Sequence, residues 1–239
     1  MQRNDLSRQK ETDLPAARKS TETEISDFLF QAKQLAATQS ASPGRMIFAL
    51  DATMSRQPTW DMACALQGEM FSAAEAVGNL SVQLVYFRGN QEARASRWVN
   101  DANSLRAMME KIDCRGGLTQ IAKVFKHAKK MAEQEPLTAL VYVGDSMEED
   151  VDKLCGLAGE LRLNGVKVFA FHDGADPTAA IAFREIARLT GGVYLPFNAG
   201  SADELKALLV AVATYAAGGR KALEALDNSQ AKQLLSDMR

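Results

Sequence analysis

The chain has 239 residues, 46% of them hydrophobic, and a formal net charge of -2. That is enough apolar material for one sizeable core plus tails, and it lacks the positive excess with which a nucleic-acid binder displaces counterions from phosphates. The longest apolar-rich stretch, "LLVAVATYAA", is too short for a bilayer span, and no apolar run follows the basic residues of the N-terminus, so a cytoplasmic protein is expected, with neither nucleic acid nor membrane as partner. Cys64, Cys114 and Cys155 are odd in number and far apart, which excludes a disulfide framework or zinc site and predicts small buried residues in a reducing compartment.

Residues 1–20 are polar, mixed in charge and without hydrophobic period, the composition of a disordered tail. From Thr21 a capping-box spacing, Thr21 with Glu24, opens an amphipathic helix carrying Ile25, Phe28, Leu29, Ala32, Leu35 and Ala36, and "SASPG" breaks it, so 21–43 reads as helix and linker. Strands and helices then alternate. "RMIFAL", "LSVQLVYFR", "LTALVYVGD", "VKVFAFHD" and "GVYLPF" read as strands, with "ARASRWV" a weaker edge strand. Between and after them, "WDMACALQGEMFSAAEAV", "ANSLRAMMEKI", "TQIAKVFKHAKKMAEQE", "EEDVDKLCGLAGELRLN", "PTAAIAFREIARLT" and "SADELKALLVAVATYAA" read as helices. Nearly continuous apolar strands separated by helices predict an α/β fold with an open, doubly wound, mostly parallel sheet covered on both faces. The domain is expected over 44–217. Residues 218–239, with Leu223, Leu226, Leu234 and Leu235 on one side, read as a helical tail that packs back or meets a partner.

In such a sheet ligands bind beyond the carboxyl ends of the strands. Asp51, Thr53 and Ser55 follow the first strand, Asp145 and Ser146 follow "TALVYVG", and Gly116-Gly117 bring Thr119 to the mouth of a helix. The candidate donors Asp51, Thr53, Ser55, Thr119 and Asp145 are all hard oxygens, which suits magnesium or manganese, with calcium a weaker fit, rather than zinc or copper. Two carboxylates balance a divalent ion, and neutral hydroxyls leave it able to accept an anionic oxygen from outside.

These residues, in this order, resemble the metal-ion-dependent adhesion site of the von Willebrand factor type A (VWA) family, written Asp-x-Ser-x-Ser, then a distant Thr, then a distant Asp. The resemblance covers about 45–217, including the Gly116-Gly117-Leu118-Thr119 turn, "NGVKVFAF" and "IARLTGGVYLPF". It implies a Rossmann-like fold with one antiparallel edge strand. It also implies hydroxyls that contact the metal directly, aspartates that act largely through water, and a partner's Asp or Glu that completes the shell. Thr53 stands for a serine, Met54 for a common glycine, and Gly144-Asp145-Ser146 for the commoner Thr-Asp-Gly.

Other residues have plainer readings. Glu148, Glu149, Asp150 and Asp152 suit the first turn of a helix, His127 a basic solvated helix face, and Trp60 the core. His172 and Asp173 lie at a strand end without a nucleophile. A phosphoaspartate phosphatase would want a second Asp where Thr53 stands, a receiver domain a lysine after the fifth strand, and a nucleotide site GxGxxG or GxxxxGK[ST]; none is present. The sequence therefore points to a non-enzymatic, bacterial, cytoplasmic protein-binding module that uses a divalent metal to grip an acidic partner residue. By resemblance the partner is an AAA+ ATPase or another multi-protein assembly. The alternatives are a metal-independent scaffold acting through its helical tails and a metal-dependent phosphatase-like enzyme.

Overall fold

The computed structural model describes residues 43–75, 79–197, 202–226 and 228–238, so the tail and helix expected over 1–42 lie outside the described residues. The apolar runs form strands β1 (Gly44–Asp51), β2 (Leu80–Arg88), β3 (Glu92–Val99), β4 (Ala139–Gly144), β5 (Lys167–Asp173) and β6 (Val193–Phe197). They pair in the order β3-β2-β1-β4-β5-β6. Among the described strands only β3 runs antiparallel, at the edge, in a hairpin with β2. Its sequence, EARASRWV, has too few apolar residues to be buried on both faces, whereas β4 is buried at all six positions.

Helices α1 (Gln57–Glu75), α2 (Ala102–Met109), α3 (Ile121–Gln134), α4 (Val151–Leu163), α5 (Pro177–Thr190), α6 (Ala202–Ala225) and α7 (Ser229–Asp237) cover the sheet. Because side chains alternate along a strand, β1 supplies both layers. Met46, Phe48 and Leu50 pack with Trp60 and Phe71 of α1 and with Leu208 and Val212 of α6. Ile47 and Ala49 pack with Phe125 of α3, Leu154 of α4 and Phe183 of α5. Phe48, Phe125 and Phe183 are among the largest fully buried side chains, each contributing roughly 2–3 kcal/mol through removal from water. The fold is thus open, doubly wound and Rossmann-like, as the sequence predicts.

The sequence also marks where helices stop and start. Asp176 caps α5 by accepting from the backbone N–H of Thr178 and Ala179, Pro177 fills its first turn, and Gly191 closes it in the left-handed conformation. In α6 the backbone leaves helical angles at Gly219 (φ 70°, ψ -164°), and the chain beyond stays on the domain. Leu223 and Leu234 are fully buried in the layer beneath α1 and α6, with Leu226 and Leu235 packed against it.

Two expectations change. His127 is half-buried rather than solvated, because the face of α3 that carries it lies over β2: its Nε2 is 2.8 Å from Gln83 Oε1, and burial, then the Lys130 charge, lowers its pKa. Of the cysteines only Cys114 is buried, while Cys64 and Cys155 are partly exposed; all three are free thiols. Among the described residues no helix is long and apolar enough to cross a membrane.

Candidate functional site

At the carboxyl edge, β1 ends in Asp51 and the chain enters a one-turn 3-10 helix, Met54–Arg56, that runs into α1. Asp51 is 2% exposed. Its Oδ1 accepts the Thr53 backbone N–H at 2.7 Å, an aspartate turn that aims the following hydroxyls back at the strand end. Thr53 Oγ1 and Ser55 Oγ are 3.3 Å apart, and Ser55 Oγ donates to Asp145 Oδ2 at 2.9 Å. Asp145 arrives from β4, which is paired directly with β1. Its Oδ1 accepts from Ser146 Oγ at 3.2 Å. Asp51, Thr53, Ser55 and Asp145 are therefore joined by contacts of 3.3 Å or less.

Thr119 is placed differently. Its hydroxyl donates to Glu148 Oε2 at 2.7 Å and accepts the Glu148 backbone N–H at 3.2 Å, while its own N–H reaches the same carboxylate at 3.1 Å. Its loop is still docked at the site, because Arg115 N–H donates to Ala52 O and Leu118 N–H to Gly89 O. Gly117 permits this approach: a Cβ there would fall 2.2 Å from Gly89 O. Gly117→Ala is expected to push the loop off the β2–β3 turn and to cost about 1–2 kcal/mol, read as a lower melting temperature.

The acids after β4 divide in two. Asp150 caps α4 by accepting the Lys153 N–H, and Asp152 sits in its first turn, as the helix-dipole reading expects. Glu148 and Glu149 do not belong to α4. Glu149 turns to the start of α3 and accepts the N–H groups of Ile121 and Ala122, the latter at 3.0 Å, a task that the N-cap residue Gln120 leaves undone. Burial raises the Glu149 pKa.

Arg56, which the sequence reading passes over, lies beneath this cluster with its side chain 5% exposed. Its Nη1 is 2.5 Å from Asp173 Oδ2 and 3.8 Å from Asp145 Oδ2. Thr59 Oγ1 donates to that same Asp173 oxygen at 2.6 Å. An arginine directly after the last hydroxyl of a strand-end loop was the available signal. His172, 1% exposed, is occupied structurally. Its Nε2 faces Asp145 O at 3.2 Å, and since a carbonyl only accepts, Nε2 is the donor there, while Nδ1 lies 2.8 Å from the Tyr194 hydroxyl.

Among the described residues, the buried side-chain atoms without a hydrogen-bond partner are Asp51 Oδ2, Arg56 Nη2 and Tyr142 Oη. Burial raises the pKa of Asp51 to about 6, against the bonds from Thr53 that lower it. Tyr142 also explains the glycine of Gly144-Asp145-Ser146, since a Cβ on residue 144 would meet the Tyr142 hydroxyl at 2.5 Å. No group of three or more His, Cys, Asp or Glu is arranged to hold a metal among the described residues. The candidate set has two carboxylates and draws its other oxygens from hydroxyls. A hard divalent cation fits it chemically, because a buried carboxylate oxygen of Asp51 has no hydrogen-bond partner and two carboxylates balance the charge.

A scan against protein-family models gives no match, and a search of curated proteins gives none. Solved structures do match. A von Willebrand factor type A protein from Catenulispora acidiphila superposes with a TM-score of 0.57 at 13% identity, over 73% of this chain and 43% of that one. The SpRpn10 VWA domain matches with a TM-score of 0.55 at 12% identity, over 69% and 94%. The human COPII-coat protein Sec24c matches with 0.56 at 14%, over 72% and 32%. With six strands in this order, one antiparallel edge and helices on both faces, the chain has the fold of a von Willebrand factor type A domain.

Proposed function

We propose that the chain is a cytoplasmic protein-binding module that grips an aspartate or glutamate of a partner protein through magnesium or manganese at the carboxyl edge of its sheet. The carrying observation is the chain of contacts that joins Asp51, Thr53, Ser55 and Asp145 at one edge of the sheet, where Asp51 also keeps a buried carboxylate oxygen without a hydrogen-bond partner. Asp51, Thr53, Ser55 and Asp145 would hold the ion, with Thr119 contributing from the neighbouring loop. A cation bound there would supply an electrophilic point for an anionic oxygen. The chain's own residues do the positioning: Asp51 fixes the turn of the hydroxyl loop, Ser55 and Ser146 orient Asp145, and His172 pins the backbone carbonyl of Asp145. Met54 (62% exposed) and Leu118 (56%) stand on the two loops that bear the hydroxyls and offer apolar contact to a docking segment.

Binding without turnover is the reading for these groups. A nucleophile with its own base is the minimum for covalent catalysis, and the imidazole nearest the site already serves Tyr194 and the Asp145 carbonyl. The fold is shared with a coat protein, which agrees with work inside an assembly; an AAA+ ATPase or similar complex is the partner class proposed. A scaffold acting only through its C-terminal helices is disfavoured because Leu223 and Leu234 are buried in the domain's own core.

The test is thermal melting with added magnesium or manganese. At ten times the dissociation constant the ion should stabilise the fold by about 1.4 kcal/mol, and Asp51→Ala combined with Asp145→Ala should erase the gain. Affinity capture from the native cell should lose its partner on chelation and with Thr119→Ala. No melting shift at millimolar metal would sink the metal reading.

A further inference from the structure

The site carries a cation of its own. Arg56 follows Ser55 directly, and α1 begins at the next residue, so its backbone is held by the same short turn that presents the hydroxyls. Its guanidinium is buried and points toward two carboxylates of the edge, Asp173 and Asp145. The Asp145 oxygen it approaches, Oδ2, is also the one that accepts from Ser55. One oxygen of the candidate donor set is thus shared between a hydroxyl and a fixed positive charge. The second guanidinium nitrogen, Nη2, is buried with no acceptor, so the contacts of Arg56 are not saturated where it now lies.

A buried arginine stands only where carboxylates offset its desolvation. Here Asp173, itself held by Thr59, takes the short contact and leaves the longer one to Asp145. We propose that Arg56 is a built-in competitor of the divalent cation, drawing on Asp145 to set how tightly the site holds metal, with Asp173 as the tether that keeps the guanidinium partly withdrawn. This rests on the metal reading of the same site. The physical reason is charge. Two carboxylates balance one divalent ion, and a unit positive charge about 4 Å from one of them subtracts from that attraction. Two substitutions therefore act in opposite directions. Removing the charge of Arg56 leaves Asp145 wholly to the metal; removing that of Asp173 releases Arg56 onto Asp145.

The experiment is titration of manganese alone into the 239-residue chain, followed by calorimetry and by loss of the free-ion paramagnetic resonance signal, at fixed ionic strength and pH 7. Arg56→Gln should bind manganese about tenfold more tightly than the natural chain, and Asp173→Asn about tenfold more weakly. Arg56→Lys, which keeps the charge but not the planar fork, should stay within about threefold of the natural chain. In chelator Arg56→Gln should melt below the natural protein, because the buried ion pair of Arg56 with Asp173 is lost, and manganese should narrow that gap. If Arg56→Gln does not fold, Asp173→Asn and Arg56→Lys decide the matter on their own. Manganese binding that is unchanged or weaker in Arg56→Gln, or unweakened in Asp173→Asn, overturns the competitor role while leaving the metal site standing. Absence of binding to every protein, the natural one included, overturns the metal reading and this proposal with it.

Discussion

Asp51→Asn should raise the stability of the metal-free protein at pH 7 by about 2–3 kcal/mol, and the same change should abolish its response to magnesium. The gain follows from what Asp51 costs. The carboxylate is buried, one oxygen has no partner, and its pKa is raised to about 6 from 3.8, chiefly by burial. An acid whose pKa is raised by folding binds its proton more tightly in the folded state. Its ionisation penalty is therefore absent below pH 3.8, grows between there and pH 6, and is complete above. At 1.36 kcal/mol per pH unit the interval amounts to about 3 kcal/mol. In chelator the natural chain should lose that much stability from this group between pH 4 and pH 7, and the asparagine variant should not. For a domain of this size the variant's melting temperature should stand about 5–10 °C higher at pH 7. Saturating magnesium should flatten the dependence in the natural chain, because the cation compensates the charge that burial leaves bare. Identical melting curves for the two proteins across that range would show that Asp51 is not carrying a buried charge.

The same residue shows what was legible in the sequence. Near-continuous apolar strands such as MIFAL and LVYV leave no choice but a sheet covered on both sides, and a strand that stops at aspartate puts that carboxylate on the edge where ligands bind. Convergence of Asp51 and Asp145 followed from the pairing of β1 with β4, which is the usual centre of such a sheet. Other features rest on long-range pairings that no local pattern encodes. Arg56 and Asp173 are 117 positions apart in the numbering and meet only because β5 ends beside the loop that follows β1. Glu148 and Glu149 look like the first turn of the helix they precede. The capping residue of that helix is in fact Asp150, which frees the two glutamates to turn back on the loop and helix that come before them. The local rule on acids and helix N-termini was right in kind, since Glu149 does serve a helix N-terminus, that of α3 rather than α4.

Glu149→Ala should cost about 2–3 kcal/mol, and should damage the site through stability rather than through chemistry. The first turn of α3 needs acceptors for its N–H groups, and Gln120 at the N-cap makes no side-chain bond to them. The Glu149 carboxylate accepts from both Ile121 and Ala122, which are buried at 0% and 7% exposure, so water cannot readily replace it. Truncation leaves two buried donors without partners, each a loss of about 1–3 kcal/mol, offset in part because a half-buried carboxylate is no longer desolvated. Glu149→Gln keeps an acceptor oxygen and should recover about half of the loss. Glu148→Ala provides the contrast. Glu148 is exposed, but its carboxylate accepts from the N–H and hydroxyl of Thr119, itself 6% exposed; because the hydroxyl can turn to another acceptor, the loss should be smaller than for Glu149→Ala, about 1 kcal/mol, while that hydroxyl becomes available to an incoming cation. Amide exchange at Ile121 and Ala122, measured beside melting temperature and manganese affinity, separates the two neighbours. Fast exchange and a low melting point belong to Glu149→Ala, tighter manganese binding on an intact fold to Glu148→Ala. If both variants melted alike and exchanged alike, the clamp on α3 would not be the work of Glu149.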